Sequence, residues 1–455
     1  MADSMRPSRH AILLFFGLLV VYNLNLRQVS SHDTYASRFV PISILRDGDL
    51  ILDEFVPETI KQQAGDQFFS DYFHYARGHF YDSHPPVGPL LALPVYALPA
   101  WIGIPARAEL IANLFSKFAA SIIAALSAVV LFATAKRVVK NDGLRITLFT
   151  AVSYALGTSI WSTASQAMWT HTPAVLGYAV ALWALLAGHP SIAGIAAVAA
   201  AVARPATSPV VALLGLYLIH TMLMHRKSVM DVLRFSATGL VTGLVGGLYN
   251  YWMFGNVVGG APFRTAIWMQ EFGTTDMFSG SLPIGFAGLT VSPNRGLLIF
   301  SPIIMVAIVG AIKAWRLSPL SDGVLLARYS SLAVLAILLI YSKFIAWWGG
   351  HGFGPRYLTD AMPFVGLLFA FGFRPLTEKG QRNRFLRVAV AVLLGYSICI
   401  QAIGAFCWPS QWTLNNNPPY RFRLWDWRNT EIATCISEGP KIDPAARQLL
   451  NRFAR

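Results

Sequence analysis

Two runs in this chain, ASIIAALSAVVLFATA (120–135) and VAVAVLLGYSICIQAIGAF (388–406), contain no Asp, Glu, Lys or Arg. Runs of this length and composition are solvated by a bilayer. There the backbone must satisfy its own hydrogen bonds, as a helix or as a strand of a closed barrel. Barrel strands alternate apolar and polar residues. Neither run alternates, so both read as helices. Similar runs recur along the 455 residues, of which 55% are hydrophobic and only 13% charged. A soluble domain carries about 25% charged residues. The chain reads as an all-α polytopic membrane protein.

The net charge is +14, yet no nucleic-acid partner is expected, because the basic residues gather in short turns between apolar runs. These turns are KRVVKNDGLR (136–145), HRKSVMDVLR (225–234), KAWR (313–316) with Arg328, and RPLTEKGQRNRFLR (374–387). The positive-inside rule places all four in the cytoplasm. With roughly 20 residues per span, about 11 transmembrane helices follow. They lie near 11–28, 110–135, 146–165, 173–187, 191–203, 207–224, 234–254, 296–314, 325–347, 360–373 and 388–406. Arg6, Arg9 and His10 precede the first run as in a signal peptide, but no small-x-small cleavage site follows. The first helix is therefore expected to stay, with its N-terminus cytoplasmic.

This topology makes 1–406 the transmembrane module. It has a large first extracytoplasmic loop at 29–108 carrying amphipathic helices, a second long one at 255–295, and an extracytoplasmic tail at 407–455. HPPVGPLLALPVYALPAWIGIP (84–105) is long enough to span but holds Pro85, Pro86, Pro89, Pro94, Pro99 and Pro105. Interior prolines break helices, so this piece reads as interfacial or re-entrant. Cys399 lies in an apolar run. Cys407 and Cys435 fall on the same side, either as a disulfide or as two separate thiols.

The unusual polar motifs all fall on the outer side: SSHDT (30–34), DEF (53–55), YDSHPPVGP (81–89), SQAMWTHTP (165–173), ARPATSP (203–209), YNYWMFGN (249–256), SPNRGLLIFSP (292–302) and WWGGHGFGPRYLTD (347–360). Polar groups at a membrane are costly and mark function. In this order the motifs resemble the polyprenyl-phosphate-sugar glycosyltransferases of the membrane GT-C fold. That group includes protein O-mannosyltransferases, the aminoarabinose transferase of lipid A and a family 39-like bacterial branch. The resemblance covers nearly the whole chain. HDTYASRF, HPPVGPLLALP and the helix closing with AKR carry its first part, and YNYWMFGN, SPNRGLLIFSP and GGHGFGPRYL its second. Members usually show Asp-Glu where this chain has Asp33-Thr34, and Lys or Tyr where it has His84.

The resemblance implies an inverting transferase in a bacterial inner membrane. It would move a hexose or pentose from a polyprenyl-monophosphate donor to a lipid, glycan or protein hydroxyl at the outer leaflet. A loop Asp would act as base. Asp33 leads, with helix capping as its structural reading. Asp53 and Glu54 are the alternatives, whereas Asp47, Asp49, Asp66, Asp71 and Asp82 read as loop acids. Candidates for the donor's phosphate or sugar are His84, Lys117, His171, Arg204, Glu271, Arg295, Arg356 and Tyr357. Arg suits a phosphate by geometry, and Arg204, Arg295 and Arg356 run against the positive-inside trend. Each has a plainer reading as a turn residue, a snorkelling cation or a packed polar group. LWDWRN (424–429) reads as packing against the outer loops. No cofactor is expected. A divalent ion has hard ligands available only at Asp33 with His32 or at Asp53 with Glu54. The rival class is a lipid or solute transporter, which tends to carry charged residues at midplane and inverted repeats. Neither is visible in this chain.

Overall fold

The computed structural model describes residues 8–63, 72–101, 109–139, 143–319, 321–373, 381–415, 419–443 and 447. Asp66, Asp71, residues 102–105 of the proline-rich piece and 374–380 of the last basic turn lie outside them. Among the described residues five helices are long and apolar enough to cross a membrane: Ile111–Val138, Pro205–Leu223, Val229–Phe254, Asp322–Lys343 and Arg384–Cys407. The fold is all-α apart from one two-stranded hairpin.

The first half of the chain runs α1 (Arg9–Asn23), α2 (Val40–Asp47), α3 (Glu58–Gln63), the hairpin β1 (Phe73–Ala76) and β2 (His79–Asp82), α4 (Val87–Trp101), α5 (Glu109–Val138), α6 (Gly143–Leu156), α7 (His171–Ala187), α8 (Pro190–Ala203) and α9 (Ser208–Leu223). The hairpin was not expected in the first loop. Its two-residue turn, Arg77-Gly78, holds φ at 55° and 83°, the twist that matches paired strands. Val87–Trp101 of the proline-rich piece is one continuous helix, α4, not a broken one. Pro85 and Pro86 precede it and Pro89 sits in its first turn, where no N–H is missed. Only Pro94 and Pro99 fall further inside.

The second half runs α10 (Val229–Phe254), α11 (Ala261–Phe272), α12 (Leu282–Val291), α13 (Leu297–Phe300), α14 (Ile304–Arg316), α15 (Asp322–Lys343), α16 (Met362–Gly372), α17 (Gln381–Cys407), α18 (Gln411–Leu414) and α19 (Glu431–Glu438). The expected loop at 255–295 thus contains two helices, α11 and α12. Ser228 and Asp231 close a capping box at the start of α10, and Gly255, in the left-handed region, ends it.

Two expected spans are broken. The one near 146–165 stops at Leu156 and continues as a π-turn, Ile160–Ala164. The one near 296–314 breaks at Ser301-Pro302, because proline offers no N–H and restricts the residue before it. Side chains of α17 take over the freed backbone groups. Gln401 donates to the Phe300 carbonyl at 3.0 Å, and Ser397 accepts from the Ile303 N–H at 3.1 Å.

Helix α16 is the centre of the molecule, with every residue from Met362 to Gly372 buried. It packs on α14, α15 and α6. The α14 crossing is tight enough that a Cβ on Gly310 would lie 2.0 Å from the Leu368 carbonyl oxygen. At about 1.5 Å per residue α16 is only some 16 Å long. That is shorter than a straight span of about 20 residues.

Candidate functional site

The connections between helices, rather than the helices themselves, build the most developed cavity described. It encloses about 370 Å³ and draws on the turn after α1, the segment after β2, the α8–α9 corner, α11, the end of α15 and the glycine-rich stretch before α16. Asp33, His84, Arg204, Arg356 and Tyr357, five of the residues expected from sequence, line it together.

Asp33 sits in a 3-10 turn, His32–Thr34, and its carboxylate lies 2.7 Å from the Arg356 guanidinium. It does not cap a helix. The contact is one of charge proximity, since the facing Arg356 nitrogen makes no aligned hydrogen bond. Arg356 is 7% exposed and Asp33 27%, so the pair meets at the cavity wall. Burial pushes the Asp33 carboxyl up, but Arg356, His84, Arg264 and Arg204 outweigh it and hold the group below the usual carboxylate range.

The glycines of WWGGHGFGPR give Arg356 its place. Its Nε donates to the Gly349 carbonyl at 2.5 Å, and its guanidinium lies over the Trp169 ring at 4.9 Å. Gly349 has φ +81°, and a Cβ on Gly352 would come within 2.5 Å of the Arg356 Cδ. The arginine is folded into its own loop.

Behind the wall stands a carboxylate that sequence reading missed. Asp360 is fully buried; one oxygen lies 2.8 Å from His171 Nδ1 and the other accepts from Arg204 Nε at 3.0 Å. Arg204 also donates to the Tyr341 hydroxyl at 2.5 Å, and Tyr341 stacks on Tyr357 at 4.4 Å. His171 therefore supports Asp360 and does not line the cavity. Its Nε2 is buried with no hydrogen-bond partner among the described residues.

On the opposite wall, Asp82 is a buried anchor and not a loop acid. It accepts from Ser37 at 2.5 Å and from the His84 N–H at 2.9 Å. Arg264, from the segment expected to be loop, reaches the Ser83 carbonyl and also lines the cavity. His32 and His351 stand 5.9 Å apart at the same surface. Burial, then the neighbouring charges of His32, Arg356 and Arg295, push His351 down to about 4. The cavity also has apolar lining, from Val258, Pro262, Met277, Phe278, Ile340 and Phe344. No family profile matches this chain, and no curated protein matches it.

The remaining expected residues are not brought to this cavity. Asp53 lies 2.7 Å from His79 Nδ1 and accepts the Phe80 N–H, while Glu54 pairs with Arg46; both stabilise the first loop. Glu271 pairs with Arg421 of the tail. Arg295 is fully buried 2.7 Å from Glu431 and donates to the Trp348 carbonyl at 3.0 Å, so it clamps the tail and does not line the cavity. LWDWRN packs beside it, with Ser292 donating to the Leu424 carbonyl at 2.9 Å. Lys117 lies outside the cavity, bonded to the Ser165 carbonyl and to Gln166. Cys407 and Cys435 are both free and buried, in one apolar cluster. Among the described residues no three His, Cys, Asp or Glu side chains converge as metal ligands, at Asp33–His32 or at Asp53–Glu54.

Proposed function

We propose that the protein is an inverting glycosyltransferase of the GT-C type with eleven membrane passes in a bacterial inner membrane, its N-terminus cytoplasmic. It moves one sugar from a polyprenyl-monophosphate donor to an acceptor hydroxyl at the outer leaflet. The observation that carries this reading is a single cavity lined both by a carboxylate among arginines and by apolar side chains. A polyprenyl phosphate has the matching two-part chemistry. The acceptor hydroxyl oxygen bonds to the anomeric carbon as the carbon–oxygen bond to phosphate breaks. Its proton goes to Asp33. The bonding pair leaves with the phosphate, which gains one negative charge as polyprenyl monophosphate. Arg356, Arg204 and Arg264 line the same cavity and can share that charge.

The Asp33–Arg356 pair gives the order of events. An arginine-bound carboxylate is ionised but weakly basic. A donor phosphate competes for Arg356, and as that charge is shared Asp33 becomes the stronger base. Donor binding thereby prepares the base.

The test is sugar transfer from a radiolabelled panel of polyprenyl-phosphate sugars in nanodiscs, with membrane extract as acceptor source. One donor should turn over, and Asp33→Asn should lower the rate at least about a hundredfold with the protein folded. Turnover that survives Asp33→Asn removes Asp33 as base. No turnover of any donor overturns the enzyme reading and favours a lipid or solute transporter.

A further inference from the structure

A second concavity shares no lining residue with the first. It is a groove of about 460 Å³ between α1 and α5, walled by Leu19, Val20, Leu114 and Phe118, with Arg27 and Lys117 at its base. Its rim is apolar and outward-facing: Val20 is 62% exposed, Leu114 42% and Phe118 43%. On a membrane protein such a rim meets lipid.

The base of the groove is the opposite in character. Lys117 is 3% exposed and Arg27 8%. Lys117 donates to the Ser165 carbonyl at 3.2 Å and to Gln166 Oε1 at 2.6 Å; Arg27 donates to the Trp408 carbonyl at 2.5 Å and to the Phe406 carbonyl at 3.3 Å. Every one of these acceptors is neutral. Among the described residues neither cation has a carboxylate within ion-pair distance; Asp443 acts on Arg27 only from further off, no acid acts on Lys117, and the two cations repel one another. The buried Arg356 and Arg295 face Asp33 and Glu431 directly, and the part-buried Arg204 faces Asp360. Two like charges taken out of water with no close counter-charge are costly. An anion entering from the groove would offset that cost.

We infer that the α1–α5 groove binds a membrane lipid with an anionic phosphate headgroup, the phosphate against Lys117 and Arg27 and the chains along Leu19, Val20, Leu114 and Phe118. Lys117 has three donors, of which two are used, and a phosphate oxygen takes the third. The site is independent of the transfer reaction. Because the groove shares no lining residue with the reaction cavity, its occupant is a bulk anionic phospholipid, and the polyprenyl-phosphate carrier is the competing outcome of the test.

The test is native mass spectrometry of the full chain, delipidated in detergent and mixed separately with phosphatidylglycerol, phosphatidylcholine and a polyprenyl monophosphate. Wild type should retain one anionic lipid in preference to phosphatidylcholine by roughly tenfold or more, the size of one charge-assisted hydrogen bond. Lys117→Gln and Arg27→Gln should lose that preference, and Lys117→Arg should keep it. Leu114→Trp fills the groove while leaving both cations in the chain and should also abolish retention, which covers the case in which a charge-removing variant fails to fold. Phosphatidylglycerol should be retained more strongly than the polyprenyl monophosphate; the reverse overturns the assignment to a phospholipid. Equal retention of phosphatidylglycerol and phosphatidylcholine by wild type overturns the inference. So does unchanged retention by folded Lys117→Gln or Leu114→Trp.

Discussion

Arg356 is positioned by backbone and by rings, so small changes in its loop bear on the chemistry without unfolding the protein. Gly352→Ala places a methyl group against its Cδ, where 2.5 Å is too close for any Cβ. The guanidinium must shift, and misplacement by an ångström costs about a hundredfold in rate. The expected outcome is that loss in transfer with a melting temperature close to wild type, read from activity and thermal unfolding side by side. A second prediction concerns pH. As the proposed base Asp33 would work deprotonated, and its carboxyl is depressed, so the folded protein keeps it ionised below the ordinary carboxylate range. Arg356→Gln removes a charge that lowers it and leaves burial, which raises it. The acid limb of the kcat/KM profile should therefore move to higher pH in the variant. A limb that stays in place would show that Asp33 is not the group titrating. The residues that sequence reading missed share one property. Asp360 and Arg264 have no local signal, because what makes them part of the site is the Arg204 guanidinium in one case and the wall after β2 in the other.

At the scale of elements, the helices are joined by close approach of small residues. With apolar lipid outside, packing rather than the hydrophobic effect holds such helices together. Gly310 of α14 lies against the Leu368 carbonyl of α16, with 2.0 Å left for a Cβ. Gly310→Val should destabilise the protein by about 2 kcal/mol or more, through overpacking. Gly395 in α17 has nothing within 4 Å of its would-be Cβ, so Gly395→Ala should be neutral or stabilise by a few tenths of a kcal/mol. Thermal unfolding in one detergent compares the two. The helix type was legible from apolar runs, but the lengths were not. The π-turn after α6 and the break at Ser301-Pro302 lie inside uninterrupted apolar stretches. What permits the break at Ser301-Pro302 is a Gln and a Ser on α17, about a hundred residues away, that donate to the Phe300 carbonyl and accept from the Ile303 N–H where the helix cannot.

The whole molecule is closed by its tail. Glu431 joins Arg295 across 136 positions of chain, and it also accepts from Trp408 and Thr413. Removing one partner of a buried ion pair costs about 3–5 kcal/mol. Glu431→Ala should accordingly lower the melting temperature and expose 419–443 to limited proteolysis, whereas Glu271→Ala, at a half-exposed pair, should change neither measurably.

Hydropathy is a property of each segment alone, so the sequence by itself determined that this chain is helical and belongs in a membrane. Local chemistry likewise marked SSHDT, HPP, ARP and GPRY as polar motifs too costly to be incidental. Which of the marked charges share a cavity was decided only by tertiary structure. A buried charge is stable only beside a partner, and the partner is set by packing rather than by distance along the chain. Arg204 and Arg295 look alike in sequence. One faces the cavity and the other the tail because Asp360 and Glu431 arrive from different elements.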